Sequence, residues 1–336
     1  MFAVRGLCLL IPLVWLSLAS LSLATSNISK PGCQHRCGNV TIPYPWGIDN
    51  GRDGACSLNE IYNVICNNTL NPPRPFLNHS RSNNFEVLEI SIEGQHMLAK
   101  SGVAANHYEN GQIVSLTPVH FRETGPLSIS DSKNKLFTIG CDDYVVLGVV
   151  FASRGSTFRS GCITGCSNVS AITNGSCSGV GCCQTTIPRG LYFFTLDLGS
   201  FENHTQVGAD NPYGYAFIGD PSKFEFNVGD LSDPHFVTKT IDSVPVVLEW
   251  YIWDAKNCEI AKGNKSTYAC QDNSHCNDYV LFSGGYTCTC LPGYQEIDEC
   301  ASDIILCSHN CRNTLSGHYE CYCPNGYYGD GWKCKD

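Results

Sequence analysis

The chain has 336 residues, 22 of them cysteine, with 21 Lys+Arg against 31 Asp+Glu and a formal net charge of −10. So many thiols read as a disulfide framework, which argues against a reducing compartment and against metabolic catalysis in the cytosol. The charge is uneven: residues 25–160 carry 11 basic and 11 acidic side chains while 161–336 carry 9 and 20, so nucleic acid is disfavoured as a partner and a polyanion is directed to the N-terminal half.

Residues 1–24 read as a secretory signal peptide. Arg5 supplies the positive start, Leu9 to Leu23 is almost wholly apolar, and Ser22 and Ala24 are small residues suited to cleavage. Cysteines then run from Cys33 to Cys334, an odd 21 after cleavage, which leaves one without an internal partner. Eight Asn-x-Ser/Thr acceptors, at Asn27, Asn39, Asn67, Asn78, Asn168, Asn174, Asn203 and Asn264, match a secreted glycoprotein. The best later apolar run, Tyr144 to Ala152, suits a buried strand and is too short to span a bilayer. The expected location is extracellular, in a cell wall or at the outer face of the plasma membrane.

Helical periodicity is weak, and β signals recur between Gly, Pro, Asn and Ser turns. Leu88, Ile90 and Ile92 alternate with Glu89, Ser91 and Glu93 as a half-buried strand. Further strands are expected at Ile113–Leu116, Leu136–Ile139, Tyr144–Phe151, Tyr192–Leu198 and Val244–Trp253. The fold class expected is mostly β and loop, disulfide-rich, around a small antiparallel core. Cysteine groups suggest a division after the leader into 25–160, a second cysteine-rich part at 161–256, an incomplete small module at 257–296 and a last module at 297–336.

The run Cys33-Gln-His-Arg-Cys37-Gly-Asn-Val-Thr-Ile-Pro-Tyr-Pro-Trp-Gly47 packs prolines and aromatics into a stiff turn beside two cysteines. It closely resembles the galacturonan-binding domain of plant wall-associated receptor kinases, whose pattern has Phe where Trp46 stands. The resemblance continues through Phe137-Thr-Ile-Gly-Cys141-Asp, Gly175-Ser-Cys-Ser-Gly-Val-Gly-Cys-Cys-Gln184, Tyr268-Ala-Cys270 and Glu296-Ile-Asp-Glu-Cys300. It implies a cysteine-rich galacturonan-binding domain followed by EGF-like modules, with pectin or oligogalacturonides as partner. A membrane helix and a cytoplasmic Ser/Thr kinase follow in that family. Here no Gly-rich phosphate loop, His-Arg-Asp loop or Asp-Phe-Gly metal site occurs, so phosphoryl transfer is not assigned to this chain.

Uronate carboxylates call for Arg and Lys, and sugar faces for aromatic rings. The candidates are Arg36, Arg52, Arg74, Arg81, Arg122, Lys133 and Lys135 with Tyr44 and Trp46.

In the last module, Cys300, Cys307, Cys311, Cys321, Cys323 and Cys334 have EGF spacing. The resemblance implies the pairs Cys300–Cys311, Cys307–Cys321 and Cys323–Cys334. It also implies a structural Ca²⁺ held by Glu296, Asp298, Glu299 and Asn313, whose hard oxygens suit that ion. Two departures from the pattern are Glu296 where Asp or Asn is usual, and five residues between Asn313 and Tyr319 where the pattern has four. The preceding module is expected to pair Cys258–Cys276 and Cys270–Cys288, leaving Cys290 as the free thiol, because relatives carry an additional cysteine-bearing segment where Glu296 runs into Ile297.

Two other functions compete. An enzyme reading would use Asp142-Asp143, but adjacent acids in a strand point to opposite faces and cannot flank one glycosidic bond. The alternative is an extracellular protein-interaction module without carbohydrate binding, acting through the EGF-like part.

Overall fold

The computed structural model describes residues 29–30, 32–49, 56–78, 85–122, 125–150, 157–207, 210–265, 267–270, 274–279, 284–291, 310–314, 318–324, 327–329 and 334–335. Three antiparallel sheets carry most of the chain. A four-stranded sheet runs in the order Leu127–Ile129, Pro245–Trp250, His96–Lys100, Val87–Ser91. A five-stranded sheet runs Cys182–Thr185, Lys135–Ile139, Tyr213–Gly219, Val103–Glu109, Gln112–Thr117, and a second four-stranded sheet runs Thr157–Ile163, Asp143–Val150, Phe193–Ser200, Val119–Arg122.

Burial follows position in these sheets. Leu136 to Ile139 are buried because this central strand packs into a core on each side, Leu136 in one cluster and Phe137 and Ile139 in the other, and Phe137 stacks on Phe217 with ring centroids 5.0 Å apart. In the neighbouring sheet His96, Leu98 and Lys100 are half-buried while Met97 and Ala99 are fully buried, the period of two expected of a strand with one core face. Burying a side chain such as Met97 or Phe217 contributes about 1.5–3 kcal/mol.

The expected strands are present, with one difference of environment. All six residues of Gln112–Thr117 are exposed, and Leu116 keeps 62% of its accessible surface. This strand is the edge of its sheet, and a register shift lies between its partners His107 and Tyr108, so its apolar residues belong to an outer ribbon.

Bridges within the described residues join Cys33–Cys56, Cys37–Cys66, Cys141–Cys166, Cys162–Cys183 and Cys177–Cys182. They also join Cys258–Cys276, Cys270–Cys288 and Cys323–Cys334, all three as expected. Cys321 is disulfide-bonded. Cys300, Cys307 and the Cys290 side chain lie outside the described residues.

The expected boundary at 160/161 needs correction. It falls inside the strand Thr157–Ile163, and Lys135–Ile139 pairs with strands from the far side of it, so 25–160 and 161–256 form one interleaved body. The boundary at 256/257 is also bridged by packing. Tyr286 is 0% exposed in the same cluster as Trp46 and Trp250, its backbone pairs with Ile252, and Tyr279 stacks on Tyr251 at 4.1 Å. A short module that buries little surface of its own gains a core by sharing that of its neighbour.

One buried ionic pair fixes the loop that follows Phe193–Ser200. Asp143 is fully buried, and His204 Nε2 lies 3.0 Å from its carboxylate while His204 Nδ1 donates to the Asn211 carbonyl at 2.6 Å. Tyr108 stacks on the imidazole at 4.1 Å, and a Cβ at Gly140 or Gly214 would strike the Asp143 carboxylate. Asp142 instead accepts from Ser200 Oγ and the Glu202 and His204 amides, bonds that hold it below the usual range although burial acts to raise it.

Burial pushes Asp143 up to about 6. For His204, burial acts to lower the imidazolium, but the bond and charge of Asp143 outweigh it and raise it. Both groups hold a proton more tightly folded than unfolded. Their contribution is therefore full below the ordinary carboxylate range and is lost as pH rises through about 6 and then through the raised His204 value. The melting temperature should fall between pH 5 and pH 8, and Asp143→Asn should flatten that fall; equal slopes in calorimetric scans of the two proteins would refute the assignment.

Candidate functional site

The N-terminal layer is built from two short hairpins stapled together. Arg36–Cys37 pairs with Val40–Thr41, and Val64–Asn67 pairs with Arg74–Leu77. The turn at Gly38 has φ +57, and a Cβ there would strike the Pro73 carbonyl, so only glycine lets this turn settle on the segment leading into Arg74. The Cys37–Cys66 bridge fastens the same approach, because Cys66 stands opposite Pro75 and Asn67 opposite Arg74. Arg36 and Arg74 thereby stand on the two hairpins of one stapled layer, Arg36 half-buried with Nη2 donating to the Asn39 carbonyl at 3.5 Å.

Arg74 is 43% exposed in its side chain and lies 3.2 Å from Glu86. Lys100, which the sequence reading missed, shares that carboxylate at 3.3 Å and meets Asp242 at 2.8 Å. Burial acts to lower Lys100, but its bonds to Asp242 and Glu86 raise it, so it stays charged. The outcome is a run of alternating charge from Arg74 through Glu86 and Lys100 to Asp242, with two cations balanced by two anions. Nothing in the local sequence marks Lys100, since its partners lie 14 and 142 residues away.

Tyr44 is half-buried with Lys30 Nζ 4.9 Å above its ring, which occupies one face. Burial, then the charge of Asp254, pushes its phenol up to about 12, so it stays neutral. Lys133 is exposed, with Nζ 3.3 Å from His96 Nδ1 at the far end of His96–Lys100 from Lys100, roughly 13 Å along the strand. Lys135 is half-buried in the five-stranded sheet, apart from the Arg36–Arg74 layer. Arg52, Arg81 and the Arg122 side chain lie outside the described residues, as do Glu296, Asp298, Glu299 and the Asn313 side chain.

Trp46 is a correction. It is 1% exposed and packs edge-on against Tyr62 at 5.2 Å and Trp250 at 6.3 Å, so it offers no face to a sugar. The stiff Pro43-Tyr44-Pro45 run leads into a ring that its partners Tyr62 and Trp250 hold in the core. Of the glycosylation acceptors, Asn39, Asn78, Asn168, Asn174, Asn203 and Asn264 are exposed. Asn67 is half-buried with its Oδ1 taken by Thr69, and Asn27 lies outside the described residues.

Among the described residues, no helix is long and apolar enough to cross a membrane, and no group of three or more His, Cys, Asp or Glu side chains is placed to hold a metal.

Comparison with known proteins defines the class. Residues 33–101 match the wall-associated receptor kinase galacturonan-binding family, and residues 300–331 match the EGF-like domain, so the chain carries both domains in that order. Along 89% of its length it is 34% identical to wall-associated receptor kinase 2 of Arabidopsis thaliana, and along 88% it is 33% identical to wall-associated receptor kinase 5 of the same plant. Wall-associated receptor kinase 1 is 29% identical over 91% of the chain. The chain spans 39–41% of the length of these relatives. No solved structure matches it.

The indole N–H of Trp46 has no hydrogen-bond partner among the described residues, so Trp46→Phe removes a buried unsatisfied donor along with some packing volume. That variant should melt within a few degrees of the parent. Trp46→Ala should lose about 3–5 kcal/mol in denaturant unfolding, and a small loss for Ala would place the ring outside the core.

Proposed function

We propose that this chain is a non-catalytic extracellular binder of acidic cell-wall polysaccharide, of the pectin class. The observation that carries this reading is that Arg36 and Arg74 stand on two hairpins of one disulfide-stapled layer inside the segment that matches the galacturonan-binding family. Uronate carboxylates spaced along a polymer would take bonds from these guanidiniums, with exposed Lys133 beside His96 adding positive potential at the far end of the neighbouring strand. Each exposed contact is weak, so affinity comes from several engaged at once.

The last module contributes a second, structural element in this reading. Glu296, Asp298, Glu299 and Asn313 would hold one Ca²⁺ and stiffen the EGF-like part as a spacer. Calorimetric titration of the chain with Ca²⁺ and with Mg²⁺ checks this, and absence of a Ca²⁺-specific heat refutes it. The signalling role of a longer receptor would follow from oligomerisation or repositioning of a kinase; the binding step needs only the residues above.

Retention on demethylated pectin, with a neutral glucan as control, tests the central reading. Retention should fall as salt rises, because exposed charges are screened beyond about 8–10 Å at physiological ionic strength. Arg36→Gln with Arg74→Gln should weaken it about tenfold at an unchanged melting temperature, the order expected for losing two charge-assisted contacts partly in solvent. Equal retention on both polymers, or none on either, would favour a protein-interaction module.

A further inference from the structure

A cavity of about 310 Å³ lies where the three sheets meet, and the polysaccharide reading makes no use of it. Its wall is aromatic: Phe85 meets Phe121 edge-on at 5.2 Å, and Phe121 stacks on Phe194 at 5.2 Å. Phe76 faces it from Arg74–Leu77, aliphatic side chains such as Ile129, Leu196 and Val246 add to the wall, and His120 and Ser101, whose hydroxyl is taken by the Ile218 carbonyl, also line it. The cavity is partly open to solvent, and Glu86 and Lys100 reach it, already paired with one another at 3.3 Å.

We propose that this cavity binds a neutral aromatic alcohol or phenol. The size fits, because a dry apolar cavity of about 150 Å³ holds benzene, and ligand pockets begin at about 300 Å³. An aromatic ring would join the Phe85–Phe121–Phe194 column in the edge-on or offset contacts such rings prefer. A sugar is a poor occupant, since hydroxyls on all sides of its ring would face apolar walls without partners. A charged ligand gains little, because Glu86 and Lys100 already neutralise each other. A single hydroxyl suits them, donating to the Glu86 carboxylate and accepting from the Lys100 ammonium. Phe76 and Phe85 come from the segment matched to the galacturonan-binding family, whereas Phe121 and Phe194 come from later strands, so the cavity is a product of the assembled body.

The test is calorimetric titration of the full chain, produced through a secretory host, with 2-naphthol and with naphthalene-2-sulfonate. One-to-one saturable binding of 2-naphthol is expected, at least tenfold tighter than the sulfonate. A Cβ at Gly102 would lie 3.3 Å from Val119 Cγ1, at a backbone angle open to any residue, so Gly102→Leu fills the cavity. Val119→Phe fills it from a half-buried position on the opposite strand. Each variant that melts like the parent should weaken 2-naphthol at least tenfold while leaving pectin retention unchanged. An aryl azide derivative of naphthol, photolysed and mapped by mass spectrometry, gives a readout that needs no variant: it should label Phe76, Phe85, Glu86 or residues 119–121. Absence of saturable binding, equal affinity for the sulfonate, unchanged affinity in a folded variant, or labelling elsewhere would overturn the proposal.

Discussion

The bridge between Cys37 and Cys66 is the constraint on which the candidate surface depends. It closes a loop with a sequence separation of 29, for which chain entropy alone gives about 3–4 kcal/mol of stabilisation. Beyond stability, it decides geometry. Two hairpins of two and four residues per strand have too little apolar surface to hold a fixed relation, and the bridge together with the Gly38 turn on Pro73 sets that relation. Two arginines 38 positions apart in sequence then belong to one stapled layer.

Beneath that layer the packing is continuous. Trp46, Tyr62 and Trp250 meet edge-on, Tyr62 donates to the Tyr251 carbonyl at 2.9 Å, and Tyr286 closes the same cluster from the following module. The layer that carries the arginines therefore rests on residues contributed by 245–290 as well as by its own segment. The similarity to the receptor kinases extends along 88–91% of the chain in the relatives cited, although the galacturonan-binding match covers only 33–101. One core serving several segments gives a physical reason for that extent.

Much of the fold was legible in the sequence, and what was hidden shares a cause. Alternation at 88–93 and the apolar runs at 136–139 and 144–151 located strands, because strand burial is written locally with a period of two. Edge and centre are not written locally, so Ile113–Leu116 reads like a core strand although it lies outside. The Asp143–His204 pair spans 61 residues and the Lys100–Asp242 pair spans 142, distances over which no spacing rule operates. Trp46 illustrates the same limit at one residue: Pro43 and Pro45 announce a stiff approach to the ring, but only the position of Trp250 decides that it points inward. At the site, the sequence supplied Arg36 and Arg74 as members of a longer set, and their place in one layer came from the disulfide pairing.

Peptide mapping of the secreted, non-reduced protein tests the central claim most directly. The account predicts a crosslinked peptide pair joining Cys37 to Cys66 and a separate one joining Cys33 to Cys56, with all four sulfurs resistant to alkylation. A Cys33–Cys37 link, or alkylation of Cys37 or Cys66 in the folded protein, would contradict it.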